Sequence, residues 1–173
     1  MLESLYAGAL SDAAARQEQV SFAEIEKLAA KAKPSLNAID FLGSGSFIKV
    51  IAEIKRASPS RGNLAPIADP AGLGRLYESA GASAISVLTE QRSFFGSLDE
   101  LDAVHSAVSV PILRKDFIAN EYQVLEARAH GADIVLLIAA GLEPSVLIGL
   151  KSLIESLGMT AFIEKRPGNW LGK

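Results

Sequence analysis

Four charged side chains stand where apolar runs end: Glu53 and Lys55, then Lys115, then Glu164. Carboxylates and ammonium groups exchange protons and stabilise charge that develops during a reaction. Glu53 and Lys55 are two positions apart, which puts both on the face of a strand that also carries Ile51. If that face is enclosed, the two opposite charges are costly to desolvate unless paired, and pairing tunes both for proton transfer. A structural ion pair at a strand end explains the same two residues. Lys115 beside Asp116 is open to the same plain explanation, and Glu164 alone marks no more than a strand end. With Thr89-Glu90 after another apolar run, however, charged and polar residues recur at one end of several runs, and that convergence argues for a site.

Aromatic residues lie next to these positions. Phe94-Phe95-Gly96 and Phe117 either pack into the core or form the floor and wall for a flat aromatic ligand. Ser58-Pro59-Ser60 reads either as an ordinary turn or as part of the site. The chain has no cysteine, which removes disulfides, thiolate metal sites and cysteine nucleophiles, and fits a reducing compartment. Its two histidines, His105 and His130, are far apart, and His130 before Gly131 suits a helix C-terminus. Neither enters the candidate site, and no metal is expected.

The elements that must position these residues follow from periodicity. Two helical segments come first, one over about Leu2 to Glu18 and one begun by Ser21 with Glu24 three residues on, the pattern of a capping box. Pro34 and Gly43 to Ser46 punctuate the approach to a first buried run, Phe47 to Ile54. Short β-branched runs at Ile48–Ala52, Ala84–Leu88, Val110–Leu113, Ile134–Ile138 and Met159–Ile163 predict five buried strands. Helical periodicity fills Asp69–Ala80, Ser97–Ala107, Asn120–His130 and Glu143–Leu157, with Gly81, Gly131 and Gly158 at helix stops. Starts at Ala84, Val110, Ile134 and Met159 are about 25 residues apart, the length of one βα unit.

Apolar strands joined by helices require a parallel sheet covered on both faces, which is a barrel or a doubly wound sheet. The glycine pairs Gly43-Ser-Gly45 and Gly72-Leu-Gly74 form no dinucleotide-binding loop, so the barrel is favoured. In such a barrel the C-terminal rim of the strands builds the active site.

At 173 residues, 49% of them hydrophobic, the chain is long enough to bury a core as one domain. A formal net charge of -3 and a pI near 5.4, with no block of Lys or Arg, argue against nucleic acid or a membrane surface as partner. No apolar run is long enough to span a bilayer and the N-terminus is unlike a secretory signal, so a cytoplasmic protein is expected.

Several segments resemble the indole-3-glycerol phosphate synthases of tryptophan biosynthesis. They are Val50 to Ser60 (VIAEIKRASPS), Ile85 to Glu90 with Phe94 to Ser97, Pro111 to Ile118 (PILRKDFI) with Tyr122-Gln123, Ala127 to Ile138, and Leu157 to Ala161 with Glu164. The combination of Glu-x-Lys-x-x-Ser-Pro with Lys-Asp-Phe sets this family apart from other phosphosugar barrels. The resemblance implies a (βα)8 barrel and a carboxy-lyase that closes the indole ring of 1-(2-carboxyphenylamino)-1-deoxyribulose 5-phosphate, losing CO2 and water without a cofactor. It implies Lys115 as general acid at the substrate carbonyl and Lys55 as a holder of the carboxylate and phosphate side. Glu53 and Glu164 would stabilise positive charge on nitrogen and share the proton transfers of dehydration. Ser58, Phe94, Phe117, Leu136 and Ile138 would line the pocket for this small phosphosugar-anthranilate substrate.

Expected organisation is a helical extension over residues 1–46, five βα units over 47–164, and an atypical tail over 165–173. Family members continue past Glu164 through further βα units, whereas Lys165 to Lys173 contains Pro167-Gly168 and departs from the family pattern. The expectation is therefore an incomplete barrel, truncated after about residue 164, with exposed sheet edges through which it self-associates or meets a complementing chain. An inactive fragment, or one half of a split enzyme, is the alternative to a working synthase.

Overall fold

The structure, a computed structural model, describes residues 2–43, 45–64 and 66–164. The N-terminal quarter is helical. Helix α1 spans Leu2–Gln19, and α2, Phe22–Lys31, starts at Ser21, whose N–H donates to the Glu24 carboxylate at 2.9 Å, as in a capping box, while its hydroxyl donates to the same carboxylate at 2.6 Å. Ile25 and Ala29 of α2 pack on Tyr122 and Leu125 of a later helix. A short helix not foreseen in the sequence, α3 over Ala38–Leu42, begins where the Asn37 side chain accepts from the Ile39 N–H. Five residues are too few to print a periodic pattern, so only the Asn cap hinted at it.

Strand β1, Ile51–Ile54, leads into a small antiparallel hairpin of β2, Ala57–Ser58, and β3, Gly62–Asn63. Thereafter strands and helices alternate: α4 (Pro70–Ser79), β4 (Ala84–Leu88), α5 (Leu98–His105), β5 (Ile112–Lys115), α6 (Glu121–Ala129), β6 (Ile134–Ile138), a 3-10 turn (Ala139–Gly141), α7 (Pro144–Ser156) and β7 (Thr160–Glu164). The helices start where expected, since Asp69, Ser97 and Asn120 accept backbone N–H bonds of the first turn. Gly81, Gly131 and Gly158 end helical segments with φ of 94°, 79° and 81°, a conformation a Cβ disfavours.

The main sheet has five parallel strands in the order β1-β4-β5-β6-β7, each beside its predecessor. That order is the rolling arrangement of a barrel wall and lacks the reversal of a doubly wound sheet. Strand alternation gives the wall two faces. Ile54, Ile85, Val87, Ile112, Val135 and Leu137 point outward to the helices, and Leu101, Val104, Val124, Leu150 and Ile154 meet them there. Ile51, Ala84, Leu113, Ile134, Leu136 and Ile138 line the inner face, with Ala38 and Leu42 of α3 packed against them. Strands β1 and β7 are the edges of the described sheet, and inward-facing Phe162 on β7 is 40% exposed.

Three strand boundaries differ from expectation. The first begins at Ile51 instead of Ile48, and Phe47 and Ile48, expected in a buried run, are 85% and 93% exposed. The third covers Ile112–Lys115 instead of Val110–Leu113, and the fifth Thr160–Glu164 instead of Met159–Ile163. In each case the ladder extends into residues whose charged side chains interrupt the apolar run, because backbone pairing is indifferent to what the side chain carries. Residues 165–173, expected to be an atypical tail, lie outside the described residues.

Candidate active site

The C-terminal ends of β1, β4, β5, β6 and β7 form one rim, and three of these strands turn charged side chains inward there: Glu53 and Lys55 at β1, Lys115 at β5 and Glu164 at β7. Glu53 on β1 accepts from Nζ of Lys55 at 2.7 Å with one carboxylate oxygen and from Nζ of Lys115 at 2.7 Å with the other. Ser86, its register partner on β4, donates to the same carboxylate at 3.4 Å. Lys55 directly follows β1, while Lys115 closes β5. All three side chains of the triad keep contact with solvent, the two lysines about one-third exposed and Glu53 less. Burial favours a neutral Glu53, but the hydrogen bonds and charges of Lys115 and Lys55 outweigh it and hold its pKa below the usual carboxylate value. The site therefore contains a fixed anion with an ammonium on either side.

Above the triad the loops carry the aromatic residues. Glu90, only 3% exposed, accepts the backbone N–H groups of Arg92, Ser93 and Phe94 at 3.0, 2.7 and 2.9 Å, winding the loop after β4 around its own carboxylate. Gly96 closes that loop against β4, where a Cβ would collide with the Leu88 carbonyl. The ring of Phe94 thereby stands 6.2 Å from that of Phe117, with Ile138 packed in the same cluster. Leu136, 2% exposed, lies two residues below Ile138 on the inner face. Ser58 sits apart in the hairpin after β1, paired with Gly62. Glu164 ends β7 beside Ile138 and is exposed, so the described residues join Glu53, Lys55 and Lys115 by hydrogen bonds but not Glu164.

Sequence reasoning missed the contribution of α1. Tyr6 sets its ring edge-on to Phe117 at 5.5 Å and donates its hydroxyl to the Ile138 carbonyl at 3.3 Å. Burial pushes its pKa up to about 12, partly offset by that hydrogen bond, with the Glu164 charge adding a further upward push. A tyrosine in a helix with weak amphipathicity gave no sign of reaching a strand end 132 positions away. Asp12 and Arg16 of the same helix pair with Arg92 and Glu126. A cavity of about 570 Å³ lies among the outer helices, lined by Phe22, Tyr122, Val146 and Leu150, and includes none of the rim residues. Among the described residues, no cluster of three or more acidic or histidine side chains is arranged to hold a metal, and no helix is long and apolar enough to cross a membrane.

A family model described as indole-3-glycerol phosphate synthase matches residues 2–170. The chain is 56% identical over its whole length to the indole-3-glycerol phosphate synthase of Leifsonia xyli, covering 66% of that protein. It is 56% identical over 164 residues to the protein of the same name from Mycobacterium avium and 58% identical over 164 residues to that from Mycobacterium sp. strain KMS, covering 60% of each. The chain thus spans about 60 to 66% of the length of the curated relatives it matches. With a parallel sheet in barrel order and a hydrogen-bonded triad of charged residues on its C-terminal rim, this chain belongs to the indole-3-glycerol phosphate synthase family.

Proposed function

We propose that this rim closes the indole ring of 1-(2-carboxyphenylamino)-1-deoxyribulose 5-phosphate, with loss of CO2 and water. The remaining length that the relatives possess is supplied by the same polypeptide or by a second one. The observation that carries the reading is the Glu53 carboxylate held between two ammonium groups at 2.7 Å.

Ring closure joins an aromatic carbon to the substrate carbonyl carbon. The carbonyl oxygen then needs a proton, and the aromatic ring and its nitrogen take on positive charge. Lys115 is the proton donor to that oxygen, and its release from Glu53 as substrate enters exposes the carboxylate to the developing cation. The depressed pKa of Glu53 suits this use, because an ionised carboxylate stabilises the cation and afterwards accepts a proton. Lys55 pairs with the substrate carboxylate or phosphate. Glu164, exposed at the end of β7, shares the proton transfers of dehydration from the opposite side. Phe94, Phe117 and Ile138 hold the flat anthranilate ring, with Leu136 beneath them and Ser58 on the hairpin at the side. In this reading residues 1–46 are an extension whose first helix braces the aromatic wall through Tyr6.

Strands β1 and β7 are edges of the described sheet, and inward-facing Phe162 on β7 is 40% exposed, so further strands of the same polypeptide or of a second one fit beside them. Indole-product fluorescence, measured with the chain alone and with a polypeptide carrying the last third of the Leifsonia xyli relative, tests both readings.

A further inference from the structure

On the face of β5 opposite Lys115, where the neighbouring outward residues are apolar, lies a buried network of charges. Arg114 is fully buried, and Asp116, Glu126, Gln123 and Thr89 around it are 7% exposed or less. A guanidinium in such a place persists only if its N–H groups are met. The Arg114 side chain donates to Thr89 Oγ1 at 3.2 Å, to the Gln123 carbonyl at 2.9 Å and to Asp116 at 3.0 Å, and pairs with Glu126 at 3.0 Å. Glu126 in turn receives Arg16 of α1 at 2.5 and 2.9 Å. Two cations and two carboxylates balance, and no buried side-chain nitrogen or oxygen among the described residues lacks a partner.

Such a network is weak evidence of added stability, since apolar side chains of similar volume often serve a core as well or better. Its bonds fix direction. The Asp116 carboxylate accepts the Phe117 N–H at 2.8 Å and the Thr89 hydroxyl at 2.6 Å. The Gln123 amide donates to the Phe117 carbonyl at 3.1 Å, and the Thr89 N–H to the Lys115 carbonyl at 3.1 Å. Among the groups so held are the Lys115 carbonyl and the Phe117 N–H and carbonyl, which belong to the two residues that face the site.

We propose that Asp116 is a positioning residue: anchored by Arg114 and Thr89, with Arg16 and Glu126 completing the charge balance, it sets where the Lys115 ammonium and the Phe117 ring stand. The role of that ammonium rests on the proposed function, whereas its position does not.

The test reads Lys115 through its partner. The titration of the Glu53 carboxyl is followed by carbon NMR in the full chain and in three variants. Lys115→Met is expected to raise the Glu53 midpoint by about 1 pH unit, and Asp116→Asn by about 0.5 pH unit although Lys115 is intact. An Arg114→Met/Glu126→Gln variant, which removes the anchor but leaves Arg16 and Asp116 in balance, is expected to behave like Asp116→Asn. Folded variants in which Glu53 titrates as in the parent overturn the proposal, as does failure of both network variants to fold, which would make the network purely structural. Where the chain turns over, Asp116→Asn should lower kcat about tenfold with KM nearly unchanged. A parent that is inactive both alone and with the last third of a relative, but whose Glu53 still responds, would sink the functional reading and leave the positioning role standing.

Discussion

Glu53 and Lys115, 62 positions apart in sequence, meet at 2.7 Å across the rim of the sheet. Their pairing has a thermodynamic signature. The pKa of Glu53 is depressed in the folded protein, so its ionised form stabilises the fold at pH above the ordinary carboxylate value of 4.5. That contribution is lost as pH falls from there through the depressed value. Glu53→Gln removes it. Urea unfolding of parent and variant should therefore show the parent more stable at neutral pH, with the difference shrinking below about pH 4.5. A difference independent of pH would mean that the pair does not bind the carboxylate's charge.

Tyr6 couples α1 to the aromatic wall by its ring and its hydroxyl, and the two are separable. Tyr6→Phe keeps the edge contact with Phe117 and deletes the hydrogen bond to Ile138, for a loss of about 1 kcal/mol. Tyr6→Ala also empties the space between Phe117 and Gly141, for a loss of about 3 kcal/mol. Denaturant midpoints at constant slope check both, and equal effects would show that the ring contributes nothing.

Glu90 organises the loop that presents Phe94. Replacement by Ala leaves the amides of Arg92, Ser93 and Phe94 without their common acceptor, at a cost of about 2 kcal/mol. Hydrogen exchange at Ser93 and Phe94 should accelerate well beyond that of the β4 amides. Unchanged exchange would show that the loop is held by other contacts.

Much of this architecture is legible in the chain because local signals and tertiary demands coincide. The N-caps Asp69, Ser97 and Asn120, the stops Gly81, Gly131 and Gly158, and the β-branched runs Ala84–Leu88 and Ile134–Ile138 each mark an element that forms. The meeting of Glu53 with Lys55 follows from a spacing of two. Less legible were elements made by long-range contact. Helix α3 has one turn and owes its place to the bottom of the inner face, where Ala38 and Leu42 meet Ala84 and Ile134. Lys115 was legible as a strand end, but its neighbour on the opposite face, Arg114 paired with buried Asp116 and Glu126, was not. A charged residue in a strand carries no mark in sequence of which face will be paired and which solvated.

The indole-forming assay with Lys115→Ala tests the central claim most directly. Substrate is supplied to the chain alone and to the chain mixed with the last third of a relative, and product fluorescence is followed. The account predicts indole-3-glycerol phosphate in at least one of these arms, with the rate reduced at least about 100-fold by Lys115→Ala in a variant that remains folded. No product in either arm, or a rate that survives the loss of Lys115, would contradict it.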